Sequence, residues 1–249
     1  MIELVTREEE IAVLTLTRGK VNALDESFVE RLSKSVGHLA SDRDIRAVIL
    51  TGQGKFFSFG FDIPEFLSYS KESFIRYLTK FCNLYTSMFL FPKPLVAALN
   101  GHTMAGGCIL AIACDYRLMT SGKAKIALNE ITLGSTLPAG CVEMLKYCVG
   151  PGNAQKILYS GAMYAPEEAR QLGLVDEVSP PEALLDAAKR VARDLAQRDS
   201  AAFRNVKGLL RGPVAQEMVR KEKDGILEFV DIWYSEETWN RLKGIQIHG

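Results

Sequence analysis

Two periods of apolar residues alternate along the chain. Residues 2–6 and 11–17 are short, β-rich apolar runs and predict two strands, with Glu8-Glu9-Glu10 as the polar turn between them. Phe28, Leu32, Val36 and Leu39 then recur at steps of four, four and three. That spacing puts them on one face of a helix, for which Asp25 is a fitting N-cap. Residues 46–51 predict the next strand, running into the turn Gly52-Gln53-Gly54. A helix is expected over 72–91, stopped by Pro92 and Pro94, and the apolar run 94–99 reads as a buried strand. Further strands are expected at 116–120 and 174–178. Helical segments are expected at 141–147 and 154–158, and from Pro166 to a stop at Gly173.

From Pro181 onward the pattern is helical. Leu184, Ala188, Val191 and Leu195 form one stripe, and Phe203, Val206 and Leu210 the next. The final segment, 214–243, reads as interrupted at Lys221-Glu222-Lys223-Asp224-Gly225. Beyond that point lie Phe229, Ile232, Trp233, Trp239 and Leu242. So much aromatic surface must pack on the parent domain or on a second subunit. Strands alternating with helices and then a helical tail predict an α/β domain with parallel crossovers.

Three stretches do not fit this regular pattern. In Asn100-Gly101-His102-Thr103-Met104-Ala105-Gly106-Gly107-Cys108 a strand turns through glycines into an apolar helix. Such a turn delivers free backbone N–H groups to one point and suits an anion, either a phosphate or charge developing on an oxygen. The loop from Phe56 to Pro64 holds Phe56, Phe57, Phe59 and Phe61, which either fold onto the core or wall a ligand pocket. Glu130 stands between Ile126-Ala127-Leu128 and Ile131-Thr132-Leu133. It is an exposed strand end, an internal ion pair, or a carboxyl in an apolar site with its pKa raised above about 4.3.

Composition narrows the options. Thirty Lys and Arg balance thirty Asp and Glu, so nothing points to nucleic acid or an anionic membrane. No segment approaches the apolar length of a membrane span, and no secretory signal opens the chain. Five cysteines in apolar contexts, without a CxxC pair, read as reduced core residues and point to the cytoplasm. His38, His102 and His248 lack metal spacing. There is no GxGxxG after a strand, no GxxxxGK[ST] and no GxSxG around Ser58 or Ser121, which disfavours dinucleotide, P-loop and serine-hydrolase chemistry.

Taken in order, Phe57-Ser58-Phe59-Gly60-Phe61-Asp62-Ile63, Asn100-Gly101 with Ala105-Gly106-Gly107-Cys108 and Cys114-Asp115, and then Asn129-Glu130 resemble the crotonase superfamily, the enoyl-CoA hydratases and isomerases. Lys20-Val21-Asn22-Ala23-Leu24 and Gly173-Leu174-Val175-Asp176 match its flanking motifs, so the resemblance covers essentially the whole chain. It implies a ClpP/crotonase-like α/β spiral of ββα units over 1–195. The C-terminal helical region, 196–249, is then expected to pack on the core or a neighbour.

By the same resemblance, the backbone N–H groups of Phe61 and Gly106 form an oxyanion hole for a thioester enolate. Phe59, Gly60, Asp62, Ile63, Ala105 and Ile109 surround the substrate. Lys20, Val21 and Ala23 match the region that meets coenzyme A, a merely solvated lysine being the other reading of Lys20. The hydratases of the family carry a second glutamate where this chain has Ile109. Glu130 alone, in Leu-Asn-Glu, resembles the Δ3,Δ2-enoyl-CoA isomerase branch, in which one carboxylate moves a proton from C2 to C4. Hydration, thioester hydrolysis and acyl-CoA binding without turnover are the alternatives. No metal and no cofactor beyond the coenzyme A of the substrate is implied, and the expected assembly is a homotrimer or a dimer of trimers.

Overall fold

The computed structural model describes residues 3–245; Met1, Ile2 and residues 246–249, His248 among them, lie outside the described residues. β1 (Glu3–Glu8) and β2 (Ile11–Leu16) form an antiparallel hairpin. A two-residue strand, β3 (Ala23–Leu24), leads into α1 (Glu26–Ser41). Asp25 caps that helix by accepting the Phe28 N–H at 2.6 Å, and Phe28, Leu32, Val36 and Leu39 are buried along its inner face.

Three ββα units follow. In the first, β4 (Ala47–Gly52) is followed by β5 (Phe56–Ser58), β6 (Gly60–Phe61), the short α2 (Ile63–Phe66) and α3 (Lys71–Phe89). In the second, β7 (Leu95–Leu99) and β8 (His102–Met104) lead into α4 (Gly106–Ile112). In the third, β9 (Tyr116–Thr120) and β10 (Ile126–Ala127) are followed by a 3-10 turn, Glu130–Leu133, and by α5 (Ala139–Ser160), which bends at Gly150. The chain closes with α6 (Pro166–Gln171), β11 (Glu177–Ser179), α7 (Leu184–Ala196), α8 (Ser200–Trp233) and α9 (Glu236–Leu242).

The large sheet has the order β1-β2-β4-β7-β9-β11, parallel from β2 onward, and the short strands β10, β8 and β5 form a second parallel sheet. Both faces of the large sheet are covered, as parallel strands require. Ile11, Val13, Ile49, Val96 and Leu118 meet Leu184, Ala188 and Val191 of α7, while Leu14, Leu50, Ala97 and Leu99 face the main core with α1 and α3. This is the spiral of ββα units implied by the resemblance.

Several sequence expectations are corrected. The loop 56–64 holds two short strands and a helical turn, because Ser58 and the Phe backbones pair with β8 and β3. The strand expected at 174–178 is displaced to Glu177–Ser179. The final helix is not interrupted at 221–225: α8 runs unbroken through it. Glu222 points inward, accepting the Gly140 N–H at 2.8 Å and the Tyr85 hydroxyl. It thereby caps the start of α5, where Pro138 offers no side-chain acceptor.

The stripe Phe203, Val206, Leu210 does not face the core either. Val206 and Leu210 are 55% and 58% exposed, whereas Lys207 and Arg211 are buried. Lys207 Nζ lies 2.7 Å from Asp115 Oδ2, and Arg211 donates to the carbonyls of Ala113 at 3.0 Å and Cys114 at 3.2 Å, past the end of α4. Two cations and one carboxylate thus tie α8 to the C-terminus of α4, satisfying carbonyls that the helix itself leaves free. Arg211→Met is expected to lower the unfolding free energy by about 3–5 kcal/mol, because a buried charged network loses one partner. Arg220→Met, which breaks an exposed pair with Glu217, should cost less than about 1 kcal/mol. Denaturant unfolding of the two variants measures the difference.

Candidate active site

The site is assembled from backbone before side chains. β3 and β6 pair in parallel, Ala23 with Gly60 and Leu24 with Phe61. The Asp62 N–H donates to the Leu24 carbonyl at 3.2 Å and the Phe59 N–H to the Val21 carbonyl at 2.9 Å. Between them, the Ser58 hydroxyl accepts the Gly60 N–H at 3.1 Å and donates to the Asn22 carbonyl at 2.7 Å. Alternate amides of a parallel ladder point away from the partner strand, so with Asp62 donating to Leu24 the N–H of Phe61 is left out of the ladder.

Gly106 is the first residue of α4, where N–H groups have no acceptor within the helix. Ala105 precedes it at φ 47°, ψ −119°, a conformation costing a non-glycine residue on the order of 1–3 kcal/mol. It is held there by donation of its own N–H to the Ala127 carbonyl at 2.9 Å and by acceptance from the Ile109 N–H at 3.0 Å. The two backbones touch. A Cβ on Gly60 would sit 2.9 Å from the Gly106 nitrogen, and one on Gly107 would sit 2.6 Å from the Ser58 carbonyl oxygen. Glycine at 60, with φ 97°, and at 107 is therefore what lets β6 and α4 meet.

A cavity of about 240 Å³ opens at this junction. Phe59, Phe61, Ile63, Met104, Ala105, Gly106 and Ile109 line it, together with Asn129, Glu130, Leu133, Ser135, Pro138 and Met163. Phe229 and Trp233 of α8, Leu242 of α9 and Ile245 complete the wall. Among the described residues that line it, Glu130 is the one ionisable side chain. The residue is half-buried, but its Oε2 is sealed from solvent without a hydrogen-bond partner. Burial pushes the carboxyl up from 4.5 to about 8, against a smaller opposing pull from its own backbone N–H. Of the readings open for Glu130, the structure gives the carboxyl in an apolar site.

The other expected residues are distributed differently. Gly60 acts through its backbone contact with Gly106 and does not line the cavity. Lys20 is exposed and stands off the cavity, Val21 offers its carbonyl to Phe59, and Ala23 is the ladder partner of Gly60. Asp62 caps α2 and pairs with Arg18 at 2.7 Å. Ser135, Met163, Phe229, Trp233, Leu242 and Ile245 were not anticipated at the site. The aromatic cluster of the tail was visible in sequence, but nothing local ties it to a turn some hundred positions earlier. His102 accepts the Lys125 N–H at 3.2 Å, a structural role. Among the described residues, no group of three His, Cys, Asp or Glu is placed to hold a metal ion.

The raised carboxyl has a thermodynamic consequence. The folded protein binds the Glu130 proton more tightly than the unfolded chain does, so the Glu130 contribution to stability is greatest below about pH 4.5 and declines as pH rises towards 8. The full penalty is on the order of 3–5 kcal/mol, at about 1.4 kcal/mol per pKa unit. Glu130→Gln should remove this dependence. Its stability relative to the wild type should therefore rise between pH 5 and 9 when both are unfolded in denaturant, whereas a constant difference would contradict the burial assigned to Glu130.

Against this geometry, comparisons with known proteins agree on one family. The family model described as enoyl-CoA hydratase/isomerase matches residues 6–238. The chain is 31% identical over 230 residues to the mitochondrial enoyl-CoA delta isomerase 1 of Rattus norvegicus, covering 91% of this chain and 80% of that protein. It is 32% identical over 209 residues to the 2,3-dehydroadipyl-CoA hydratase of Escherichia coli (strain K12), covering 84% and 81%. The crystal structure of human mitochondrial delta3-delta2-enoyl-CoA isomerase superposes with a TM-score of 0.94 at 28% identity, covering 98% of this chain and 96% of the other. With its glycine junction, its buried glutamate and a family match over nearly its full length, the chain belongs to the enoyl-CoA hydratase/isomerase family.

Proposed function

We propose that this protein is an acyl-CoA isomerase that moves a double bond from C3 to C2 of an enoyl-CoA thioester. The observation that carries the reading is that Glu130 is the one carboxyl among the described residues of a mostly apolar cavity, whose other polar side chains are Asn129 and Ser135, with Ile109 on α4 where a second acid would stand in a hydratase. Relatives named as isomerases and as hydratases lie at similar identity, so this arrangement of side chains, and not identity, favours isomerisation.

In the proposed reaction the thioester oxygen accepts hydrogen bonds from the N–H groups of Phe61 and Gly106. The Glu130 carboxylate removes a proton from C2. The electron pair of the broken C–H bond delocalises through the carbonyl and the C3–C4 double bond to give a dienolate. The new carboxyl then returns the proton to C4, leaving the double bond between C2 and C3. Each oxyanion donor contributes roughly 3–4 kcal/mol to such a charged state. A carboxyl with its pKa near neutrality suits both proton steps, since one group must accept and then donate. Ile109 and the aromatic wall keep water from the dienolate. The coenzyme A portion lies outside the cavity, over Lys20 and the backbone of Val21 and Ala23, and no other cofactor takes part.

Conversion of 3-enoyl-CoA to 2-enoyl-CoA, followed across several chain lengths, tests the reading. Wild-type kcat/KM should climb with pH through an apparent pKa of about 8, because the base works only when ionised. Glu130→Gln should lower kcat by about 10²–10⁴-fold. Undiminished turnover in that variant removes Glu130 from the mechanism. Comparable formation of 3-hydroxyacyl-CoA from 2-enoyl-CoA replaces isomerisation with hydration. Tight acyl-CoA binding without turnover of any thioester makes the protein a binding member of the family.

The assembly belongs to the same proposal. Val206, Leu209, Leu210 and Val219 of α8 are 51–71% exposed, an apolar face that a neighbouring subunit covers in a homotrimer or a dimer of trimers. Light scattering on the purified protein should give a mass of three or six chains, and Leu209→Glu together with Leu210→Glu should lower it. A monomeric wild type refutes the assembly and leaves the chemistry untouched.

A further inference from the structure

The oxyanion donor at Phe61 sits on a ladder only two residues long, and so short a pair of strands has little stability of its own. The Phe61 ring is fixed by edge-on contacts with Phe66, Tyr77 and Phe81 at centroid distances of 5.0–5.8 Å. Ring contacts, however, do not set the direction of the N–H. That direction follows from the peptide planes of residues 60–62, and one side chain outside the cavity grips this backbone from both sides.

Arg18 Nη1 lies 2.7 Å from Asp62 Oδ2, on the residue after Phe61, and 3.1 Å from the Ala23 carbonyl on the partner strand. Its Nη2 lies 2.6 Å from Asp25 Oδ2 and 3.5 Å from Glu65 Oε2. The loop that carries Arg18 is closed on itself: the Arg18 N–H donates to Asn22 Oδ1 and the Asn22 N–H donates to the Arg18 carbonyl, both at 2.9 Å. Asn22 in turn donates to the carbonyls of Gln53, Phe56 and Phe57, next to the oxyanion strand. The guanidinium is thus held by a rigid turn and joins β3, the N-cap of α1 and the N-cap of α2.

We infer that Arg18 is a positioning residue for the oxyanion donor: its fork fixes the β3–β6 ladder and so aims the Phe61 N–H. The inference rests on the isomerase reading only for its kinetic readout. Charge supports it. Three carboxylates converge on this one cation, and Asp25 and Asp62 each also hold a helix N-cap with their other oxygen. Without Arg18 these acids repel one another at the end of the ladder, and the one free to shift the oxyanion peptide is Asp62. Lysine cannot replace the fork, because an ammonium is a point charge and cannot hold Asp25, Asp62 and a carbonyl in one plane. Arg18 does not line the cavity. Its loss should therefore act on the charged state and not on substrate affinity.

Arg18→Met, Arg18→Lys and Asp62→Asn test this, read by 3-enoyl-CoA turnover and by difference infrared spectra of bound hexanoyl-CoA isotopically labelled at the carbonyl carbon. In the wild type the bound carbonyl band should lie below its solution frequency, polarised by the two donors. Arg18→Met should lower kcat on the order of 10²-fold, as expected for a misplaced catalytic group, with KM little changed and the band returned towards solution. Arg18→Lys should fall between Arg18→Met and the wild type, and Asp62→Asn should shift both readouts the same way. A fall in kcat with the band unmoved assigns Arg18 a purely structural role and overturns the inference, as does an unchanged kcat. If Arg18→Met does not unfold cooperatively, Asp62→Asn, which keeps the cap, decides by the same criteria. If the wild type turns over no 3-enoyl thioester, the isomerase reading falls and the band alone decides. A wild-type band at the solution frequency overturns both.

Discussion

Two stretches of backbone approach each other more closely than side chains allow, and the site depends on that approach. Residues 58–60 meet residues 106–107 at distances where any Cβ at position 60 or 107 would collide with backbone or with the Ser58 side chain. Because the contact is between backbones, what it brings together is peptide N–H groups. One comes from a strand whose ladder skips it and the other from the first turn of a helix. Neither needs a particular side chain, so Phe61 can present its ring to Phe66, Tyr77 and Phe81 while its N–H stays free for the proposed oxyanion role. The strained Ala105 belongs to the same arrangement, since its conformation sets where α4 begins.

The electrostatics of α4 are asymmetric. At its C-terminal end the carbonyls of Ala113 and Cys114 are taken by Arg211, with Asp115 and Lys207 completing a buried network. At its N-terminal end the amides are left to the cavity. Glu130, which lines the same cavity, is without a partner on one oxygen. Unsatisfied donors and an unsatisfied acid in one apolar space cost stability in the resting protein. In the proposed reaction both would be satisfied by one event, in which negative charge passes from the carboxylate to an oxygen held by the two amides.

Legibility in the sequence followed the range of the interactions. Local rules sufficed for the Asp25 cap, the inner face of α1, the span of α3 and the strand at Tyr116–Thr120, because capping and periodicity are decided within a few residues. The glycine junction and Glu130 were legible as residues out of keeping with their neighbours. The short strands β5, β6 and β8 were not, since two or three residues carry no period and are defined only by partners elsewhere in the chain. The helix α8 misled for a different reason. It buries Lys207, Arg211 and Glu222, which meet carbonyls, a carboxylate or an amide of distant elements, while Val206, Leu209 and Leu210 point outward. A rule that puts apolar residues inside reads such a helix backwards. The cavity wall made by Phe229, Trp233 and Leu242 was hidden for another reason: they are buried as the rule expects, but nothing local ties them to the glycine turn.

Ile109 marks the step from family to reaction. It lies one turn into α4, buried, and bounds the cavity behind the oxyanion amides. A carboxylate there would face Glu130 across a small apolar space and would raise the cost of ionising either acid. It would also supply the second hydrogen-bonding group needed to hold a water for attack at C3. With isoleucine, burial dominates the protonation of Glu130, and position 109 offers no acid to orient a nucleophile. Chemistry that moves one proton over two carbons needs only a base that can give back what it takes. Chemistry that adds water needs a second polar group to deliver it. On the proposed reading, an aliphatic side chain at this one position separates two reactions of the same family.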